Sequence, residues 1–244
     1  MVLGHRGGRG EGWPDENSLA AFARALAEGA DGVELDVRLT ADGVPVVFHD
    51  PVLARTCAGP GTAAQSVARV AAADLPLLAG GERIPRLVEA LEALRGHVVN
   101  VEIKTDVAAL SLLGDVPDRL RLVRAAAAAV KSVGGVEVRF SSFDPLAVMA
   151  LAAIAPRVPR AILVDRSTPR AATALALAMK PAVIAAHLHD SLVIPARAAR
   201  LLRAGLGLAA WTVNDPARAA ALVTLGVTWL ITDAPGLLVS SLRA

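Results

Sequence analysis

The chain has 244 residues, an apolar fraction of 54% and a formal net charge of +2 from 25 basic and 23 acidic side chains. This small charge and the scattered arginines argue against a nucleic-acid partner, and a single cysteine, Cys57, excludes an internal disulfide. No uninterrupted apolar stretch predicts a stable membrane span, and the first residues lack the apolar core of a signal peptide. We therefore expect a soluble cytoplasmic protein; the sequence leaves its oligomeric state open.

The first predicted elements are a strand and a helix. The strand covers residues 1–5, and a helical pattern follows over residues 18–28. Asn17 is the predicted N-cap of this helix, and Gly29 is its predicted stop.

A hairpin follows the helix. An apolar run from Val33 leads into a turn at Ala41-Asp42-Gly43, and a second apolar run covers residues 45–48. Paired as antiparallel strands, the two runs place Asp36 opposite His49. This register predicts that carboxylates and an imidazole meet at one end of a sheet.

Residues 50–85 are rich in Gly and Pro and contain one weak helical pattern around residues 63–73. We interpret them as a small insertion, because they are too few to bury a core of their own. Further strands are predicted over 98–104, 136–141, 161–164, 182–187, 208–213 and 229–232, and helices over 86–95, 117–132, 146–154, 169–179, 196–204, 217–225 and 237–242. Without the hairpin return strand, eight strands are each followed by a helix. This pattern predicts one TIM (β/α)8 barrel domain over residues 1–244.

Polar residues interrupt the apolar strands mainly at their carboxyl ends. They are His5, Arg6, Glu34, Asp36, Glu102, Lys104, Ser141, Ser142, His187, His189, Trp211, Asn214 and Asp233. The carboxyl ends of barrel strands meet at one face, which is where such barrels have their active sites. The pattern therefore predicts a single site.

Glu34, Asp36 and Glu102 bring three carboxylates from two strands to this face. Acidic groups that converge without a cation raise one another's pKa values, and a divalent cation with oxygen ligands relieves the repulsion. The sequence has no Cys/His cluster with zinc spacing, so we predict a site for Ca²⁺ or Mg²⁺. The alternative is that these carboxylates form ordinary ion pairs with Arg6 and Lys104.

His5 and His49 come from different strands and lie beside these acids. Histidine is the side chain best suited to proton transfer near neutral pH, so we interpret the two as an acid and a base. Arg6 and Lys104 then suit an anionic group, of which phosphate is the obvious candidate. The alternative role of each histidine is an ordinary hydrogen-bonded side chain at the rim.

Four further side chains are candidates for the substrate pocket. They are Asn17, Trp211, His187 and His189. Each also has an ordinary structural role available, as a helix cap, in packing or in hydrogen bonds at the rim.

The chain resembles the glycerophosphodiester phosphodiesterase family in motifs that follow one another in the family's order. In the first half they are His5-Arg6-Gly7, Glu16-Asn17-Ser18, Gly29-Ala30-Asp31, Glu34-Leu35-Asp36-Val37, Thr40-Ala41-Asp42-Gly43 and His49-Asp50. In the second half they are Glu102-Ile103-Lys104, Ser142-Phe143-Asp144, Trp211-Thr212-Val213-Asn214 and Ile231-Thr232-Asp233. The resemblance covers nearly the whole chain, and its first half is very specific.

The resemblance implies a TIM barrel that hydrolyses glycerophosphodiesters to sn-glycerol 3-phosphate and an alcohol. The implied partner is thus a small-molecule glycerophosphodiester, and the implied cofactor is a divalent metal. The resemblance also implies roles at the site: metal binding by Glu34, Asp36 and Glu102, acid–base catalysis by His5 and His49, and phosphate binding by Arg6 and Lys104. The segment 50–85 resembles the family's small insertion.

The chain departs from the family's pattern in three places, none of which touches the expected metal ligands or histidines. The loop between His5 and Glu16 is about two residues longer, Ser18 replaces Thr, and Cys57 stands where a second Thr is common. The insertion is also poor in aromatic residues, which leaves the alcohol side of the pocket undefined.

Two other functions fit parts of the sequence. One is a phosphodiesterase similar to lysophospholipase D, which acts on lipid head groups; an apolar insertion would favour it, and the sequence has none. The other is a non-catalytic barrel that binds a phosphorylated metabolite. Such a protein would be expected to lack a histidine or a carboxylate of the site, whereas all five are present.

Overall fold

The computed structural model describes residues 1–59, 65–105, 116–167 and 169–243. The strands are β1 (Val2–His5), β2 (Gly32–Leu39), β3 (Pro45–Val47), β4 (Val98–Ile103), β5 (Glu137–Ser142), β6 (Arg160–Val164), β7 (Ala185–His189), β8 (Gly207–Trp211) and β9 (Trp229–Thr232). The helices are α1 (Leu19–Ala27), α2 (Leu87–Ala93), α3 (Val116–Ser132), α4 (Pro145–Ile154), α5 (Ala172–Met179), α6 (Pro195–Arg203), α7 (Pro216–Thr224) and α8 (Pro235–Arg243). Within these ranges, no helix combines the length and apolar character needed to cross a membrane.

The strands form a closed parallel barrel. Their order is β1-β2-β4-β5-β6-β7-β8-β9, and β9 pairs with β1 to close the ring. A helix connects each barrel strand to the next, and two large apolar clusters fill the space between the helices and the strands. The predicted TIM barrel is confirmed.

Strand alternation separates the two faces of the barrel wall. On β2, Val33, Leu35 and Val37 pack outward in one of the large clusters, so Glu34 and Asp36 between them point inward. Below these acids the interior contains a smaller apolar cluster of Leu3, Val98, Ala209, Trp229 and Ile231. The polar side chains are thereby concentrated at the carboxyl ends of the strands.

The hairpin forms, but its predicted register is wrong by one residue. Val37 pairs with Val47, and the Phe48 amide donates to the Asp36 carbonyl at 2.9 Å, so Phe48 lies opposite Asp36 instead of His49. The physical reason is the turn: Thr40 and Val44 close a three-residue loop, in which Gly43 has a φ of +82°. His49 follows β3 and remains at the same end of the sheet.

Ser18, and not Asn17, caps α1. Ser18 has an extended backbone, and its hydroxyl accepts from the Ala21 amide at 3.1 Å. Asn17 lies in the left-handed region with a φ of +62°, which an N-cap does not adopt. The predicted stop at Gly29 is confirmed, since Gly29 follows the helix with a φ of +89° and donates to the Leu26 carbonyl.

The insertion packs on the hairpin. Leu53, Val67, Leu78 and Ile84 are buried in a cluster that includes Phe48. The helix predicted over residues 63–73 is wrong where it can be compared, because residues 67–69 and 72–74 form short 3-10 turns. Residues 63 and 64 lie outside the described part of the chain.

Strand β7 begins three residues later than predicted and ends two residues later, at His189. The amides of Ala182 and Val183 still donate to the Met179 carbonyl, so these residues belong to the turn that follows α5. The later end brings His189 onto the strand.

Candidate active site

The three candidate metal ligands lie side by side at the carboxyl end of the barrel. Glu34 and Asp36 project from β2, and Glu102 projects from β4, where it is in register with Asp36. One carboxylate oxygen from each residue lies within 4.8 Å of the others, and all three side chains are buried. The parallel pairing of neighbouring strands therefore builds an oxygen cluster from residues far apart in sequence.

Burial and mutual repulsion control the charge of this cluster. Burial raises the pKa of Glu34 well above its usual value, and the Asp36 and Glu102 carboxylates raise it further. Burial also raises the pKa of Glu102. Burial also tends to raise the pKa of Asp36, but the charges of Lys104 and Arg6 outweigh burial and hold this pKa well below its usual range. Within the cluster, Glu34 is thus the carboxylate whose charge the neighbouring cations compensate least.

The two cations predicted to bind phosphate border the cluster. Lys104 Nζ lies 2.7 Å from Glu102 Oε1 and 3.3 Å from Asp36 Oδ1. Arg6 Nε lies 3.0 Å from Asp36 Oδ2. The ion pairs considered from the sequence as the alternative role of these cations are therefore present. They leave Glu34 Oε1 buried and without a hydrogen-bond partner among the described residues.

An unusual backbone conformation supports this arrangement. Arg6 and Asn17 both have positive φ angles, of +53° and +62°. The Arg6 amide donates to Glu34 Oε2 at 3.1 Å, and the Asn17 amide donates to the Arg6 carbonyl at 2.9 Å. A non-glycine residue in this region costs about 1–3 kcal/mol, and the hydrogen bonds to the site offset that cost.

His5 reaches the cluster from the end of β1. Its Nδ1 lies 2.7 Å from Asp233 Oδ1, and its Nε2 lies 4.0 Å from Glu34 Oε2. A carboxylate accepts hydrogen bonds, so Asp233 assigns the proton of neutral His5 to Nδ1 and leaves Nε2 to exchange protons. Burial lowers the pKa of His5, although the hydrogen bond to Asp233 opposes this.

His49 also contacts a carboxylate, that of Asp50 at the start of the insertion. Its Nδ1 lies 2.5 Å from Asp50 Oδ1, and its carbonyl accepts from Arg38 Nε at 2.6 Å. Burial lowers the pKa of His49 to about 4, and the charges of Lys104 and Arg6 add to this effect. Both histidines are therefore neutral at pH 7, and each has its Nδ1 engaged by a carboxylate.

These groups surround an open pocket of about 550 Å³. The charged and polar residues of the lining are His5, Arg6, Glu34, His49, Asn100, Glu102 and Lys104. Its apolar residues are Phe143, Leu163, Trp211 and Ile231, and the rings of Phe143 and Trp211 meet edge to face at 5.4 Å. The pocket can accept a small molecule that has an anionic part and an apolar part.

A model of the glycerophosphoryl diester phosphodiesterase family matches residues 5–237. The chain belongs to this family. It is therefore an enzyme, a phosphodiesterase, as the sequence motifs predict.

Relatives and solved structures match this chain over its whole length. The glycerophosphodiester phosphodiesterase of Caldanaerobacter subterraneus is 30% identical, with 100% of this chain and 98% of the relative covered. A phosphodiesterase of Oleispira antarctica, solved with the product sn-glycerol-3-phosphate, is similar with a TM-score of 0.85, 28% identity and coverage of 100% and 97%. A putative glycerophosphoryl diester phosphodiesterase of Silicibacter pomeroyi has a TM-score of 0.83, 28% identity and coverage of 100% and 93%.

Some predicted pocket residues of this phosphodiesterase lie behind the site. The Asn17 side chain donates to Asp36 Oδ2 at 2.9 Å and accepts from the Asp36 amide at 3.3 Å, so it holds a carboxylate. Asn214 similarly donates to Asp233 Oδ2 at 3.0 Å. Trp211 does line the pocket, and its indole N–H donates to the His187 carbonyl at 3.2 Å.

The remaining polar residues do not line the pocket. His187 is fully buried inside the barrel, and neither ring nitrogen has a partner among the described residues. His189 lies beyond Trp211 and contacts Ser191 at 2.8 Å. Ser141 and Ser142 are buried in hydrogen bonds within the barrel wall.

Sequence reasoning assigned no role to several charged residues that contact the site. Glu16 and Asp50 belong to quoted motifs, but nothing in their spacing shows which side chains they meet. Arg9 and Arg55 lie in the first loop and in the insertion, where their positions depend on tertiary packing. Adjacency was the one available signal, because Asp50 directly follows His49.

Proposed function

We propose that this phosphodiesterase hydrolyses glycerophosphodiesters to sn-glycerol 3-phosphate and an alcohol, with the help of a divalent metal and two histidines. The observation that carries the proposal is the convergence of three carboxylates, two cations and two histidines at one pocket. Oxygen clusters bind hard cations, guanidinium and ammonium groups bind phosphate, and imidazoles transfer protons near neutral pH. Hydrolysis of a phosphodiester uses a bound cation, phosphate-binding groups and proton-transfer groups together.

Glu34, Asp36 and Glu102 would hold the metal. Their donor set consists of carboxylate oxygens, which suits Ca²⁺ or Mg²⁺, and the partnerless Glu34 Oε1 fits an added cation. When bound, the ion supplies positive charge that stabilises the phosphoryl oxygens. Asn17 has a supporting role, since it orients the Asp36 carboxylate.

The protein's own residues bind the phosphate and move the protons. Arg6 and Lys104 bind the non-bridging phosphate oxygens and stabilise the charge that grows on them. One of the two histidines accepts the proton of the nucleophile at Nε2, and the other donates a proton to the leaving alkoxide. An anionic phosphate beside a histidine raises its pKa, which favours the protonated form that the donor requires.

The nucleophile is water, or the neighbouring glycerol hydroxyl acting through a cyclic phosphate. The apolar wall of the pocket, which includes Phe143 and Trp211, accommodates the carbon atoms of the glycerol or the alcohol. The product found in the Oleispira antarctica structure is sn-glycerol-3-phosphate, which supports a glycerol phosphate as one product here.

The test measures glycerol 3-phosphate released from glycerophosphocholine with an NAD-linked dehydrogenase. We expect release with Ca²⁺ or Mg²⁺, none with a chelator, and a loss of at least about 100-fold in Glu34→Ala, because the cation site loses a ligand. Calorimetric titration of the same metals gives a readout that is independent of turnover. The matched control is Glu92→Ala, an exposed acid that pairs with Arg95.

Two outcomes would contradict the proposal. Turnover in the chelator, or near-normal turnover and metal binding in Glu34→Ala, would remove the metal role. Release of the head group from micellar lysophospholipid, without activity on glycerophosphocholine, would identify the lipid-directed alternative.

A further inference from the structure

A chain of ion pairs crosses the rim of the pocket, and its first end is at His5. Asp233, the carboxylate behind His5, is held by a forked pair of hydrogen bonds from Arg9. Arg9 Nε lies 2.9 Å from Asp233 Oδ1, and Arg9 Nη2 lies 3.2 Å from Asp233 Oδ2. This geometry fixes the plane of the carboxylate and hence the orientation of the imidazole.

The second end of the chain is at His49. Asp50, the carboxylate behind His49, accepts from Arg55 Nε at 2.5 Å through the oxygen that His49 does not use. Arg55 comes from the insertion, whereas Arg9 comes from the loop after β1. Each candidate histidine therefore has a carboxylate behind it and an arginine bound to that carboxylate. At the first end, Arg9 Nη2 also lies 3.4 Å from His5 Nδ1.

Glu16 joins the two ends. Its Oε1 accepts from Arg55 Nη2 at 2.6 Å and from Arg6 Nη1 at 2.8 Å, and its Oε2 accepts from Arg9 Nη1 at 3.5 Å. The Glu16 side chain is 8% exposed. Burial by itself raises its pKa, but the hydrogen bond from Arg55 and the charge of Arg6 lower it to about 2. Glu16 is therefore ionised while it contacts three guanidinium groups.

The resulting order is Asp233, Arg9, Glu16, Arg55, Asp50, with signs that alternate along the chain. A single exposed ion pair contributes little to stability, because water screens it and two long side chains are immobilised. A buried carboxylate shared by several arginines holds its partners more firmly than an exposed pair does, because each partner restricts the others. Glu16 thus contacts the arginines of both ends of the chain directly.

We propose that Glu16 is a positioning residue that, through Arg9 and Arg55, fixes the two histidine-bound carboxylates relative to each other. The proposal rests on the proposed function, in which His5 and His49 exchange protons with the substrate. Glu16, Arg9 and Arg55 do not line the pocket, so they act through other residues. Loss of Arg9 or Arg55 lowers kcat more than it changes KM, because proton transfer depends on the geometry of the histidines.

The test is a double-mutant cycle of Arg9→Ala and Arg55→Ala, measured as kcat on glycerophosphocholine in Glu16 protein and in Glu16→Gln protein. In protein that keeps Glu16, we expect the kcat of the double variant to differ by at least about threefold from the value obtained by multiplying the two single effects. KM should stay within about twofold of the KM of the unaltered enzyme. In Glu16→Gln protein the effects should multiply. The matched control replaces Arg55→Ala by Arg243→Ala, which has similar exposure and pairs with Asp31 on the surface.

A second readout needs no turnover. In protein with ¹⁵N-labelled histidine, Arg55→Ala should shift the ring nitrogen signals of His5 when Glu16 is present and leave them in place in Glu16→Gln. Independent effects in Glu16 protein, or coupling and His5 shifts that persist in Glu16→Gln, would overturn the proposal. If the intact enzyme fails to hydrolyse glycerophosphodiesters, the proposed function falls, and the ¹⁵N shifts still decide whether Glu16 connects the two histidines.

Discussion

The histidines at the mouth of the barrel and the histidine in the interior below it have opposite surroundings. At the mouth, His5 and His49 each contact a carboxylate, and charged groups of both signs surround them. In the interior, His187 has no partner for either ring nitrogen among the described residues, and the Trp229 ring lies 5.9 Å away. Burial lowers the pKa of His187 to about 3, and the charge of Arg139 adds to this effect.

The difference shows that burial alone does not make a histidine functional. A histidine without a partner stays neutral and acts as packing, whereas a carboxylate fixes the tautomer and orientation of its neighbour. Three carboxylates lie close together at the mouth, and their mutual repulsion lowers the stability of the protein, as is common at active sites. We therefore expect changes at the mouth to affect turnover, and changes in the interior to affect stability.

The largest expected effect comes from removing a histidine at the mouth. His5→Ala and His49→Ala should each lower kcat on glycerophosphocholine by about 10²–10⁴, which is the usual contribution of general acid–base catalysis. A p-nitrophenyl leaving group departs without a proton, so one variant, but not the other, should recover on glycerol p-nitrophenyl phosphate. The recovering variant identifies the acid.

The control for this experiment is His97→Ala, since His97 lies outside the pocket. It should keep the kcat of the unaltered enzyme. Near-normal kcat in His5→Ala or His49→Ala would contradict the acid–base role of that histidine, and recovery of both variants would contradict the division of labour between them.

A smaller effect is expected from the carboxylates behind the histidines. Asp233→Asn and Asp50→Asn should lower kcat by about 10- to 100-fold, because an amide group can stabilise the wrong tautomer. The loss should be greater for Asp233, which also contacts Arg9 and Asn214. Steady-state kinetics with Asp118→Asn as an exposed control would check this, and equal kcat in all variants would remove the distinction between partnered and unpartnered histidines.

The smallest expected effect is on the pH dependence of the free energy of unfolding, and it comes from His187 in the interior. The unfolded chain protonates His187 near pH 6.5 and the folded protein near pH 3, so the unfolded state binds more protons between these values. The contribution of neutral His187 is therefore complete above about pH 6.5 and falls as the pH is lowered. At pH 5 the loss is about 2 kcal/mol, from 1.4 kcal/mol per pH unit.

Urea unfolding of the unaltered enzyme and of His187→Leu at pH 7 and pH 5 measures this loss. The stability difference between the two proteins should shift by about 2 kcal/mol in favour of His187→Leu at pH 5, while kcat at pH 7 stays unchanged. A constant difference, or a large loss of kcat, would contradict the contrast between the interior and the mouth.

The fold and the family could both be predicted from the sequence, because apolar periods and motif order are local properties of the chain. Strand Trp229–Thr232 agrees with its prediction at both ends, since its apolar run is short and clearly bounded. The hairpin register could not be predicted to the residue, because the three-residue loop closed by Thr40 and Val44 decides it. The cap of α1 was missed because two adjacent residues, Asn17 and Ser18, are both good caps, and only the left-handed backbone of Asn17 distinguishes them.

By itself, the sequence determined that Glu34 and Asp36 share one face of their strand, because alternation along a strand is fixed by covalent geometry. Only the tertiary structure decided which carboxylate stands behind each histidine and that Glu16 contacts three arginines. Long side chains from separate loops make these contacts, and their positions depend on how the loops pack over the closed barrel. The alternation of side chains along one strand is local information, whereas the rim is determined by parts of the chain that meet only after folding.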